Sequence, residues 1–268
     1  MSLDNNKKEV NRHRGQLGQS LLNSMIGEYL EKESNPLAIQ MGFFHQLQRL
    51  SLNAELAQQV DYPLSNKVVV FVHGLTTFES VWDYPAEGSS NTSIVNHYID
   101  VCFNPINNST PESYGKQLQE EFGFTPLFLR YNTGLSLEKN GRKFADQLNK
   151  LFKNYPIEID DLMLVGFNMG GGLLSHTQYA AQKSNQSWLK VLSKCIYLGD
   201  SGENSLLANI LQLTNDFLRH TPVHYINLLV NWFDYRSAHP KLGNDTTEDV
   251  GSEKVRRPKY PVFLQSSR

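Results

Sequence analysis

The run Asp161-Leu162-Met163-Leu164-Val165-Gly166-Phe167-Asn168-Met169-Gly170-Gly171 decides the fold of this chain. Its first five residues are mostly apolar and do not alternate with polar ones, the pattern of a strand buried on both faces. From Gly166 the pattern changes, and a helical apolar period follows to about Gln182. A strand that passes into a helix through glycines makes a tight turn. Gly166 and Gly170 let strand and helix approach closely, and Gly171 and Gly172 extend that freedom. The turn lifts Asn168 above the sheet in a strained conformation, and asparagine tolerates positive φ better than most residues. Phosphate-binding loops share this strand–glycine–helix shape. No Lys-Ser/Thr closes this one and no G-x-G-x-x-G spacing occurs, so a nucleotide site is not expected.

Working outward, Lys67–Val72 is a second β-branched run, and it ends in His73-Gly74-Leu75. Phe124–Tyr131, Cys195–Gly199 and Tyr260–Leu264 read as further strands. A helical period covers about Leu137 to Phe152, with Phe144, Leu148, Leu151 and Phe152 on one face. Strands alternating with helices predict an α/β fold, a mostly parallel sheet of about five strands covered on both faces. Met1 to Arg14 is polar and reads as a frayed tail. Leu17, Leu21, Leu22, Met25, Ile26, Tyr29 and Leu30 predict a helix that Asn35-Pro36 breaks, and Phe43, Phe44, Leu47 and Leu50 predict a second helix from about Leu37 to Gln59. The expected organisation is therefore residues 1–60 as tail and helical pair, and 61–268 as the α/β domain. Within the latter, 203–233 reads as two amphipathic helices, either a lid over a site or packed crossover helices. The polar stretch 234–259 reads as a solvated loop.

The chain has 268 residues, 40% of them apolar, and its net charge is 25 − 27 = −2. That apolar fraction excludes disorder for most of the chain, and the near-neutral charge disfavours a nucleic-acid surface of the basic kind. No apolar run is long enough to span a membrane. The N-terminus lacks the apolar core of a signal peptide. Cys102 and Cys195 have no metal-ligand spacing and read as core residues, which predicts a cytoplasmic protein without structural disulfides.

The two strand ends carry the chemistry. The backbone N–H of Leu75, after His73-Gly74, and that of Met169, after Asn168, are candidates to converge on one point. Two such donors stabilise a developing oxyanion. The glycine turn has the G-x-S-x-G pattern, with Asn168 at its centre. On Val70–Leu75, Thr125–Gly134, Glu138–Arg142 and Leu164–Gly171 the sequence resembles the α/β-hydrolase superfamily, in particular its bacterial lipase- and esterase-like members. The resemblance spans about residues 66–200. It implies a three-layer hydrolase-like sandwich, a carboxylic-ester hydrolase, an oxyanion hole from Leu75 and Met169, and a small apolar or acyl-ester ligand. It implies no metal and no organic cofactor.

Three departures accompany the match. Asn168 stands where relatives carry the nucleophilic serine. After the fourth strand relatives often carry glycine–threonine–proline–histidine, whereas this chain has Gly199-Asp200-Ser201-Gly202-Glu203, with Asp200 placed either as a triad acid or as a helix cap. The family's catalytic histidine follows its last strand, and none follows Tyr260–Leu264 here; His220, His224 and His239 lie elsewhere. Three expectations stand: an impaired ester hydrolase, a non-catalytic ligand-binding or interaction descendant, or a truncated product of a longer hydrolase.

Overall fold

The computed structural model describes residues 3–83 and 113–198, with backbone alone over 3–14. The polypeptide forms α1 (Leu3–Lys32), the hairpin β1 (Gly42–His45) and β2 (Gln48–Arg49), β3 (Lys67–Val72), α2 (Tyr114–Phe122), β4 (Thr125–Arg130), α3 (Leu137–Asn154), β5 (Asp161–Phe167), α4 (Met169–Lys183) and β6 (Leu192–Leu198). The six strands lie in one mixed sheet in the order β2-β1-β4-β3-β5-β6. β4, β3, β5 and β6 are parallel, and the β1–β2 hairpin joins β4 antiparallel. The expected α/β class with a mostly parallel sheet is therefore present, with one antiparallel hairpin at its edge.

Alternation along β3 shows why its run had to be continuous. Val68, Val70 and Val72 enter one core with Phe144, Leu148, Leu151, Leu173 and Leu174 of α3 and α4. Val69 and Phe71 enter a second core with Leu17 and Leu21 of α1, Trp82 and Phe128. Both faces are covered from Val68 to Val72, so none of those positions can be polar without a buried partner, whereas Lys67 at the open end is exposed. Helix α3 starts at the Ser136 cap, whose hydroxyl accepts from the Lys139 N–H at 3.2 Å.

Two N-terminal expectations are corrected. The polar stretch read as a frayed tail is helical from Leu3. The second helix of the expected pair does not form: Leu37–Gln59 holds β1, β2 and a short 3-10 turn, Leu56–Gln58. Phe43 and Phe44 fit either period. The strand wins because consecutive side chains go to opposite sides: Phe43 into the first core, Phe44 against the Arg130 guanidinium, 4.0 Å from its ring centre. Gln46 and Leu47 close the hairpin at φ 46° and 63°, a left-handed pair without the usual Asn-Gly signature. Tyr29 is also not a core residue; the buried face of α1 uses Asn23 and Gly27 beside Leu17, Leu21 and Leu30.

Those two residues explain how a polar helix docks. The Asn23 amide donates to the Leu37 carbonyl at 2.8 Å and accepts from the Ile39 N–H at 2.8 Å. The Gly27 carbonyl accepts from Asn132 Nδ2 at 2.9 Å, and a Cβ on Gly27 would meet Asn132 Oδ1. Cys195 is half-buried against the first core, and burial pushes its thiol up to about 12. Asp200, the helical stretch 203–233, the loop 234–259, the strand 260–264, Cys102 and the histidines at 220, 224 and 239 lie outside the described residues.

Candidate functional site

Parallel β3, β4 and β5 end at one edge of the sheet, with Val72 in register with both Leu129 and Gly166. Ligand sites of open α/β sheets sit at such carboxyl ends. Here the three exits are built by different means.

The β5 exit is built by close approach. Asn168 sits at φ 52°, ψ −119°, outside the regions that side-chain-bearing residues favour, at a cost of about 1–3 kcal/mol. Two backbone bonds hold it: its N–H donates to the Leu198 carbonyl at 2.8 Å, and its carbonyl accepts from the Gly171 N–H at 2.9 Å. A Cβ on Gly170 would stand 2.5 Å from the Val72 carbonyl oxygen and 2.7 Å from that of His73. A Cβ on Gly166 would stand 2.7 Å from the Gly170 carbonyl carbon. Only hydrogen fits at either place, as the glycine pattern of the sequence required. Asn168 Oδ1 is buried and has no hydrogen-bond partner among the described residues.

The β3 exit leans on that turn. A Cβ on Gly74 would lie 3.1 Å from the Phe167 carbonyl oxygen and 3.2 Å from Asn168 Cβ. His73, Gly74, Leu75, Asn168 and Met169 are thus brought together. Thr76 takes φ 63°, and the Thr77 hydroxyl donates to the Gly74 carbonyl at 3.1 Å. Among the described residues the N–H groups of Leu75 and Met169 have no acceptor, as is also so for Gly74, Thr76 and Gly170 in the same turns.

His73 is a scaffold residue. Its ring is buried, stacks on Tyr131 with centres 4.6 Å apart, and lies 2.9 Å from the Gly74 carbonyl through Nδ1. Nε2 accepts a long bond from the Tyr131 N–H at 3.4 Å, and the Tyr131 hydroxyl donates to the His73 carbonyl at 3.1 Å. This pattern requires the neutral ring with its proton on Nδ1. Burial, with Arg130 nearby, pushes its pKa down to about 3. It cannot serve as a general base at neutral pH while so enclosed. Of the other described histidines, His176 bonds the Gly172 carbonyl one turn back along α4, and His45 sits beside Asp61 near the hairpin.

The β4 exit holds residues that site reasoning from the sequence passed over. Arg130 is buried and forms a two-pronged pair with Glu79, its Nε donating to Oε2 at 2.7 Å; Nη1 donates to Gln16 Oε1 of α1. Asp83, beside this pair, is pushed up to about 8, first by burial and then by the charge of Glu79. Asn140 Nδ2 donates to the Asn132 carbonyl at 2.8 Å, and Asn132 Oδ1 accepts from the Gly134 N–H at 3.0 Å. A charged residue closing an apolar strand, as Arg130 does, is the one sequence signal that marks such a pair. Its partner Glu79 lies 51 positions away and carries none.

No group of three or more His, Cys, Asp or Glu among the described residues is placed to hold a metal ion. No described helix is long and apolar enough to cross a membrane. Comparison with protein families, curated proteins and solved structures finds no match.

Proposed function

We propose that this chain is an α/β-hydrolase-like protein of the lipase or esterase type whose nucleophile has been replaced by Asn168, leaving a ligand site with little or no turnover. One observation carries the reading: Asn168 is held at φ 52°, ψ −119° on the strand-to-helix turn, wedged against the His73-Gly74-Leu75 exit. A strained residue is maintained only where its surroundings enforce it. On this reading the backbone N–H groups of Met169 and Leu75 are the pair that would receive an oxyanion.

The same geometry states the defect. The amide nitrogen of asparagine is delocalised into its carbonyl and does not attack an ester. Loss of the nucleophile costs on the order of 10⁶ in kcat, roughly 8 kcal/mol of barrier. The two N–H donors alone retain about 10³–10⁴ over water. This favours binding of a small apolar or acyl-ester ligand over its cleavage. Such chemistry calls for no cofactor.

The test is labelling by a fluorophosphonate and hydrolysis of p-nitrophenyl butyrate, parent beside Asn168→Ser, with folding of both checked by circular dichroism. The parent should show neither, and Asn168→Ser should show slow labelling confined to position 168. Turnover by the parent would refute the assignment of Asn168 as the disabling change. A folded Asn168→Ser that takes no label would refute the hydrolase-type site.

A further inference from the structure

We infer that β6 is an interface: it pairs antiparallel with β6 of a second copy of this chain, about a two-fold axis at Ile196, so that two sheets join into one.

The two edges of the sheet are finished differently. β2 closes one edge with two residues, Gln48 and Arg49. Arg49 folds its guanidinium back onto the Met41 carbonyl at 2.6 Å and the Gln40 carbonyl at 3.3 Å. A short, polar, charged strand gives another chain little to pair with. At the other edge β6 runs for seven residues, Leu192-Ser193-Lys194-Cys195-Ile196-Tyr197-Leu198, with a single charge and no proline. Ile196 and Tyr197 are 36% and 46% exposed. Among the described residues nothing pairs with its outer side. An open edge of this length is a template for a further strand.

The hydrogen-bond pattern fixes the register. The Asn168 N–H donates to the Leu198 carbonyl, so Leu198 and Ile196 turn their peptide groups to β5, and Cys195 and Tyr197 turn theirs outward. A second β6 lying antiparallel must set outward residues against outward residues. Cys195 then pairs with Tyr197 of the copy, and Tyr197 with its Cys195. This centres the axis on Ile196, which meets its own copy in the close, non-hydrogen-bonded position, with Cα atoms about 4.5 Å apart. The next position sets Lys194 against Leu198. No lysine meets a lysine, and the exposed isoleucines cover each other. An axis at Cys195 would depend on Ser193, which is the extra residue of the bulge opposite Leu162 and Met163 and whose hydroxyl donates to the Leu162 carbonyl at 3.2 Å. An axis at Tyr197 would set Cys195 against a residue beyond the strand. The strand is therefore complementary to itself in one register, and identical edges related by a two-fold close on themselves. That self-complementarity selects a second copy as the occupant.

The experiment measures molar mass by light scattering during size exclusion, with the full chain at protomer concentrations up to about 100 μM. The parent should be a concentration-dependent dimer. Ile196→Lys and Ile196→Glu each put like charges face to face and should weaken dimerisation about tenfold or more. Mixed together, the two variants should dimerise again, about tenfold or more tightly than either alone. Both changes fall at an exposed position, so circular dichroism should match that of the parent. A dimer that Ile196→Lys leaves intact, or variants that do not recover on mixing, would overturn the proposal. So would a monomeric parent, and hydrogen exchange at the Cys195 and Tyr197 N–H groups then names the alternative. Slow exchange means that the chain's own residues pair with the edge, and fast exchange means that it stays open.

Discussion

The β4 exit and the β5 exit flank that of β3 at the carboxyl end of the sheet and are held by opposite means. At β4, side chains do the holding: Arg130 to Glu79 and Gln16, Asn132 to Gly27, Asn140 to Asn132, Tyr131 to His73. At β5, the absence of side chains does it: Gly166 and Gly170 let backbone press on backbone, and the residue between them is strained. Polar groups at the first exit are largely spent on one another and on α1. At the second, backbone N–H donors and Asn168 Oδ1 are left over among the described residues. A network that satisfies itself makes scaffold, and the strained turn at β5 is the exit on which the proposed function rests.

The contrast is broken most severely at Arg130. Arg130→Met leaves Glu79 charged, buried and alone, and should cost about 3–5 kcal/mol in urea denaturation. Adding Glu79→Leu should restore most of that, because it removes the orphaned charge; a single variant as stable as the parent would show that the pair does not hold the exit.

Acid attacks the same scaffold through His73. The unfolded chain takes up a proton near pH 6.5, which the folded ring accepts only near 3. Stability is therefore full above pH 6.5 and falls as the pH drops from there towards 3, by at most about 4–5 kcal/mol from this residue. The physical cause is first the burial of the ring, with the Arg130 charge nearby; a proton at Nε2 would also face the Tyr131 N–H. An NMR titration in which His73 protonates near pH 6.5 in the folded state would contradict this account.

The smallest effect separates the two exits most cleanly. Asn168→Gly should relieve the positive-φ strain and raise stability by about 1 kcal/mol, while Asn132→Ala should lower it by about 2. Equal losses from both changes in thermal melts would mean that the β5 turn is scaffold like its neighbour.

Much of this architecture was legible along the chain, and the failures are local. The β3, β4 and β5 runs read as strands because burial on both faces leaves largely continuous apolar stretches, whereas β6 is exposed along most of its length. The glycine turn read correctly because close backbone approach has no other solution than missing Cβ atoms. Leu37–Gln59 misread because Phe43, Phe44, Leu47 and Leu50 suit a helical face as well as a hairpin, and Gln46-Leu47 is not a recognisable turn. At the candidate site, the sequence pattern put Leu75, Asn168 and Met169 forward as candidates, whereas Glu79 and Gln16 were illegible as partners of Arg130.

What the sequence by itself determined is the short-range part: which segments are strands, where the chain must turn without side chains, and that asparagine stands at the centre of that turn. Tertiary structure alone decided which polar groups are spent and which remain. Pairing depends on residues brought together from 51 to 114 positions apart, as Arg130 is with Glu79 and Gln16, and no local pattern encodes such a distance. That Asn168 Oδ1 is buried and unpaired among the described residues is likewise a fact of the folded chain alone. Burial makes an unmet hydrogen bond costly, and burial is a property of the folded chain.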